Sequence, residues 1–125
     1  MKLIALILLG LSAAVSAQQL DTSAVITACS TVPRLYSVAS LAAFDKDDGQ
    51  WRQSTYQVAS ELMIGNDEAD GIISSLRRNK DIADRFAHSG AGQSDPEFMH
   101  DCMTEPSKYI PSYQRLLRAG KLTSQ

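Results

Sequence analysis

What most constrains this chain is a pair of cysteines, Cys29 and Cys102, the only two among 125 residues. Their chemistry depends on where the chain goes, and the N-terminus speaks to that. Lys2 is followed by an apolar run from Leu3 to Leu11, interrupted by Gly10, and then by the small residues of SAAVSAQQ. Val15 and Ala17 stand where a cleavage site after Ala17 needs small residues, which is the order of a secretory leader. The apolar run is too short to span a bilayer. The sequence therefore predicts a signal peptide over 1–17 and a single mature domain over 18–125 without a transmembrane anchor, exported to the periplasm or secreted. In an oxidising compartment, two cysteines predict one disulfide. It would close a loop of roughly 74 residues, worth about 4 kcal/mol by the chain-entropy estimate.

Helical patterning dominates the mature chain, and no strand-like alternation of useful length occurs. Asp21 or Thr22 is a candidate N-cap for a helix carrying Val25, Ile26, Cys29 and Val32. Pro33 is expected to break or kink it, or to start a new helix. Leu35, Val38, Ala39, Leu41, Ala42 and Phe44 continue the apolar pattern. After DKDDG, a second stripe runs through Trp51, Thr55, Val58, Ala59, Leu62 and Met63 and is expected to end on Gly65 as C′ residue. Asn66 or Asp67 should cap a helix with Ile72, Ile73 and Leu76 inward. Asn79 starts a short helix with Ile82, Ala83 and Phe86. HSGAGQS, residues 88–94, reads as a loop. Ser94-Asp95-Pro96-Glu97 reads as a helix start, with a cap and a proline in the first turn, and Pro106 ends that helix. Tyr109, Tyr113, Leu116 and Leu117 stripe a last helix that stops at Gly120. The predicted fold class is all-α, a compact bundle of five or six short helices stapled by one disulfide.

The acidic stretches raise the question of metal. An EF-hand loop needs oxygen ligands at positions 1, 3 and 5, glycine at 6 and glutamate at 12. With Gly49 at position 6, Phe44 and Lys46 fall at 1 and 3. With Gly71 at position 6, Arg77 falls at 12. Neither loop is in register, so Gly49 reads as closing a helix or turn and Asp47 or Asp48 as capping the next helix. His88, His100 and the cysteines lack the short ligand pairs of a zinc site. The chain shows no phosphate loop and no nucleophile elbow, so no cofactor, metal or catalytic residue is assigned. The formal net charge is −2, one unit more negative once Lys2 is removed, which is no footprint for nucleic acid.

Two resemblances remain. His100-Asp101, following a loop that contains Gly90 and Gly92, resembles the secreted phospholipase A2 enzymes. That resemblance implies a small hydrolase in which His100 activates water and Asp101 holds calcium, although Met103 stands where the family has a cysteine. Across the mature chain, a cysteine on the first helix (Cys29), a polar helical middle, and Phe98 shortly before Cys102 on a late helix resemble two kinds of small exported bacterial protein. These are the all-helical type VI secretion immunity proteins and the two-cysteine periplasmic acid-stress chaperones. The resemblance implies a non-enzymatic protein that binds another protein, as an inhibitor or immunity factor, or else a stress chaperone. Its partner surface is expected at the 88–94 loop and the acidic helix start that follows, with Gly90, Gly92, Asp95, Glu97 and Asp101.

Overall fold

The computed structural model describes residues 19–87 and 95–124. Seven helices are found there: α1 Thr22–Phe44, α2 Gly49–Glu61, α3 Asn66–Arg78, α4 Lys80–Ala87, α5 Pro96–Thr104, α6 Pro106–Tyr109 and α7 Tyr113–Arg118. The fold class is all-α, as the patterning predicts, and among the described residues the sole β feature is an isolated bridge between Leu20 and Thr123. The bridge is extended by Asp21 N–H donating to the Leu122 carbonyl at 2.8 Å and Ser124 N–H to the Gln19 carbonyl at 3.2 Å, so the two ends of the domain are paired.

The first helix is the axis of the molecule. Asp21 caps it, its carboxylate accepting the Ser23 N–H at 3.0 Å. Of the outcomes expected at Pro33, a break or a new helix start does not occur: α1 runs through it for 23 residues. A mid-helix proline removes a donor and usually costs about 3 kcal/mol. Here α1 packs against α2, α3, α4, α5 and α6, and Val32, Pro33 and Leu35 are buried, so the helix continues across the missing bond. The expected two short helices are therefore one long one.

Around α1 lie two buried clusters. The larger joins Val25, Cys29, Val32 and Leu35 to Leu62, Phe98, Cys102 and Leu116. The smaller, toward the C-terminal end of α1, is Ala39, Ala42, Ala43, Ile73, Leu76 and Ala83. The disulfide Cys29–Cys102 forms inside the larger cluster, tying α1 to α5 with Cα atoms 5.9 Å apart. An aromatic chain runs beside it: Tyr36 to Phe86 at 5.2 Å, Phe86 to Phe98 at 6.1 Å and Phe98 to Tyr109 at 5.7 Å between ring centres. It crosses from α1 over α4 and α5 to α6, so aromatic faces as well as sulfur join the early and late helices.

Helix ends follow local chemistry, with several departures from expectation. Asp95 caps α5 with Pro96 in its first turn, and Asn79 Oδ1 accepts the Ile82 N–H at 3.4 Å at the start of α4, both as predicted. α2 does not end on Gly65. Met63 takes the left-handed conformation, φ 59°, donating to the Ser60 carbonyl while Ile64 donates to Ala59. That is a complete Schellman closure with methionine at C′. Gly65 instead precedes α3 as its N-cap, so neither Asn66 nor Asp67 holds that position. Gly49 is the first residue of α2 and Asp48 occupies the cap position without a side-chain capping bond. The Tyr109–Leu117 stripe is divided between α6 and α7. α7 ends in a second Schellman closure with Gly120 at φ 71°. Phe44 and Ile82, counted as inward, are exposed.

Candidate functional site

Of the predicted partner surface, Gly90, Gly92 and the rest of the 88–94 loop lie outside the described residues. Asp95 is committed inside the fold. Its carboxylate accepts the N–H groups of Glu97 at 3.0 Å and Phe98 at 3.1 Å and pairs with Arg85 of α4 at 3.1 Å. The Phe98 N–H and then the Arg85 guanidinium hold it below the usual carboxylate range. Glu97 and His100 are exposed on α5, and Asp101 is half-buried. His100 and Asp101 are consecutive on one helix and therefore point about 100° apart.

Two carboxylates of DKDDG, Asp45 and Asp48, are likewise engaged by neighbouring side chains. Asp45 accepts the Trp51 indole N–H at 2.9 Å. Asp48 holds Arg52 at 2.9 Å and Arg77 at 3.1 Å. Arg52 reaches on to Asp70 at 2.6 Å, and the Tyr56 hydroxyl donates to the same Asp70 oxygen at 2.6 Å. Arg77 also donates to the Ala43 carbonyl at 3.0 Å, at the negative end of α1. Arg52 lowers the Asp48 carboxyl and Tyr56, followed by Arg52, lowers Asp70, while that Asp70 bond raises the Tyr56 hydroxyl. This cluster clasps α1, α2 and α3 together; its groups already have partners.

The surface feature best formed for recognition lies at the other end of α1. A groove of about 550 Å³ runs between one face of α1 (Ala24, Thr27, Ala28, Thr31), the end of α2 (Ser60 to Met63) and the C-terminal segment (Leu116, Lys121, Leu122). The α1 wall is small and spent in its hydrogen bonds: Thr27 donates back to the Ser23 carbonyl at 3.0 Å and Thr31 to the Thr27 carbonyl at 2.8 Å. Such back-bonding satisfies the hydroxyl donors within the helix itself. The α2 wall is fixed from beneath, because the Ser112 hydroxyl donates to the Leu62 carbonyl and Arg115 donates to the Met63 carbonyl at 2.6 Å. On its lip Met63 stands 38 % exposed. A second hollow of about 560 Å³ lies against Leu41 and Phe44, walled by Asp45, Lys46, Lys80 and Asp84.

The sequence reading does not single out Met63, Glu61 or Lys121. No local signal separates Leu62 from Met63, because the turn that buries the one and exposes the other begins after Glu61, the last residue of α2. Family models, curated proteins and solved structures give no match to this chain.

Proposed function

We propose that the chain is a small exported, non-enzymatic helical protein that binds another protein, as an inhibitor or immunity-type factor. The observation that carries this reading is the groove between α1, α2 and the C-terminal segment. It is a recessed, mostly apolar surface with polar ends on a backbone pinned by a disulfide. Rigid walls suit recognition, since a preorganised surface loses little entropy on binding. Export to the periplasm or beyond is supported by the leader-like N-terminus and by the buried Cys29–Cys102 bond, which needs an oxidising environment to form. No helix among the described residues is long and apolar enough to cross a membrane.

The test is a capture experiment with the oxidised protein in an extract of its own compartment. The expected outcome is one partner held in fixed stoichiometry, with affinity lowered about tenfold or more by Met63→Asp, which plants a charge on the apolar lip, and an unchanged circular dichroism spectrum. Absence of any stoichiometric complex would remove the reading. Calcium-dependent lipid hydrolysis lost in His100→Ala would replace it with the hydrolase.

A further inference from the structure

We propose that the groove along α1 is the two-fold interface of a homodimer; this rests on reading the groove as a protein-binding surface and names its occupant as a second copy of this chain. The first support is where the charges stand. Glu61 lies at the Arg34 end of the groove, its carboxylate 3.4 Å from that guanidinium. Lys121 lies at the Asp21 end, because the carbonyl of the next residue, Leu122, accepts the Asp21 N–H at 2.8 Å. Asp21 and Arg34 are thirteen positions apart along α1, about 20 Å at the helical rise. The groove thus has Glu61, paired with Arg34, at one end and Lys121, close to Asp21, at the other. A two-fold axis through its middle, near Thr27 and Ala28, exchanges the ends. Each copy's Glu61 then meets the other copy's Lys121, twice per dimer, which is the reciprocity an isologous interface requires. The existing Glu61–Arg34 pair does not compete strongly, since both side chains are about half exposed and such pairs are weak.

The second support is shape. The lip bears a knob, Met63, and the α1 wall supplies a hole floored by Ala24 and Ala28. The same rotation offers each copy's Met63 to the other copy's alanines. Covering that wall strands no hydroxyl donor, because Thr27 and Thr31 already bond to their own helix. Methionine suits such a role, being flexible and polarisable enough to fill a recess. Its backbone conformation agrees with this. Glycine would close α2 without strain, as Gly120 closes α7, and a strained side chain retained at an exposed position points to work done by that side chain.

Sedimentation equilibrium of the oxidised protein over roughly 1–200 µM, with the affinity arithmetic of a self-association, reads the result directly. A monomer–dimer equilibrium is expected. Glu61→Lys or Lys121→Glu alone should weaken it by at least about tenfold, because each places like charges across the axis. The double variant Glu61→Lys/Lys121→Glu should return it to within about threefold of the original, since the swap recreates both pairs. A zero-length carbodiimide should join Glu61 to Lys121 between isotopically labelled and unlabelled molecules. Monomer at every concentration, or a double variant as weak as the single ones, overturns the dimer. If the protein is monomeric while Met63→Asp still abolishes capture of a different protein, the second copy is wrong and the protein-binding reading stands. If the charge swap restores a dimer and no other protein is captured, the dimer stands and the inhibitor reading fails.

Discussion

The two halves of α1 are held in place by different means. Its N-terminal half is fastened by a covalent bond, Cys29–Cys102, inside a cluster with large side chains such as Leu35, Leu62 and Phe98. Its C-terminal half is fastened by close approach and charge: the small residues Ala39, Ala42, Ala43 and Ala83 let α3 and α4 come near, and Arg77 and Asp48 stitch the joint from outside. The first half should be the more sensitive to reductant, and the second the more sensitive to acid and salt. The candidate groove lies on the half that is covalently fixed, where a binding surface keeps its shape.

The largest expected effect breaks the first half. Cys29→Ser should lower unfolding free energy by about 2–5 kcal/mol, the usual loss for a small secreted domain, as read from urea denaturation. Hydrogen exchange should localise the loosening to α5 and α6. Equal loss of protection in α3 and α4 would show that the halves are one cooperative unit. Ala42→Leu strikes the other half. Ala42 is fully buried against α3 and α4, so the added carbons have no room and should cost about 1–3 kcal/mol by overpacking. Exchange should then rise in α3 and α4 first.

Acid provides a gentler probe of the second half. Asp48 is held below its ordinary value first by Arg52, Asp70 first by Tyr56, and Asp95 first by the Phe98 N–H and then by Arg85. A carboxyl lowered in the folded state contributes stability that is fully present above the unfolded value of about 3.9 and disappears as pH falls through the lowered native values. Denaturation midpoints should therefore be flat above about pH 5 and fall below about pH 4. The Asp48→Asn/Asp70→Asn double variant should flatten that fall. An unchanged acid limb would mean that other carboxylates carry it. At neutral pH, Arg77→Ala should cost about 0.5–1 kcal/mol, because it strips an exposed guanidinium from the end of α1. The loss should shrink in high salt.

The halves also differ in how much of them could be read from the sequence. The disulfide followed from the cysteine count and the compartment that the leader-like N-terminus led one to expect. Asp21 was legible as one of two candidate caps before an apolar stripe, and Ser94-Asp95-Pro96-Glu97 as a helix start because a polar cap followed by proline states its own geometry. Whatever depended on contacts distant in the chain was hidden. Nothing local says that Arg77 reaches the Ala43 carbonyl, or that Arg52 bridges Asp48 and Asp70. Pro33 neither breaks α1 nor starts a new helix for the same reason: the local rule favours a stop, while α1 as a whole packs against five other helices. Ala39, Ala42 and Ala83 were placed on apolar stripes and Ala43 was not, but that they let helices approach closely shows only once their neighbours are known. The groove was out of reach because its walls come from three separate segments.

The smallest effect turns on two helix ends with one hydrogen-bond pattern and different residues. At Gly120 the N–H groups of residues 120 and 121 close α7 on Leu117 and Leu116, and at Met63 those of residues 63 and 64 close α2 on Ser60 and Ala59. Both C′ residues have positive φ, 71° and 59°. Glycine adopts that region freely, whereas a side chain there costs about 1 kcal/mol or more. A Cβ added at Gly120 would meet nothing within 4 Å, so Gly120→Ala isolates the backbone term and should destabilise by about 1 kcal/mol. Met63→Gly should run the other way, a gain of roughly 0.5–1 kcal/mol once the greater freedom of glycine in the unfolded chain is subtracted. Thermal unfolding of the two variants, at a concentration low enough to keep the protein monomeric, measures both signs. If Met63→Gly loses stability under those conditions, the methionine side chain packs usefully within a single molecule. Its exposure on the groove would then be incidental. If it gains stability while self-association weakens, the strain at residue 63 is retained for what that side chain touches outside its own chain.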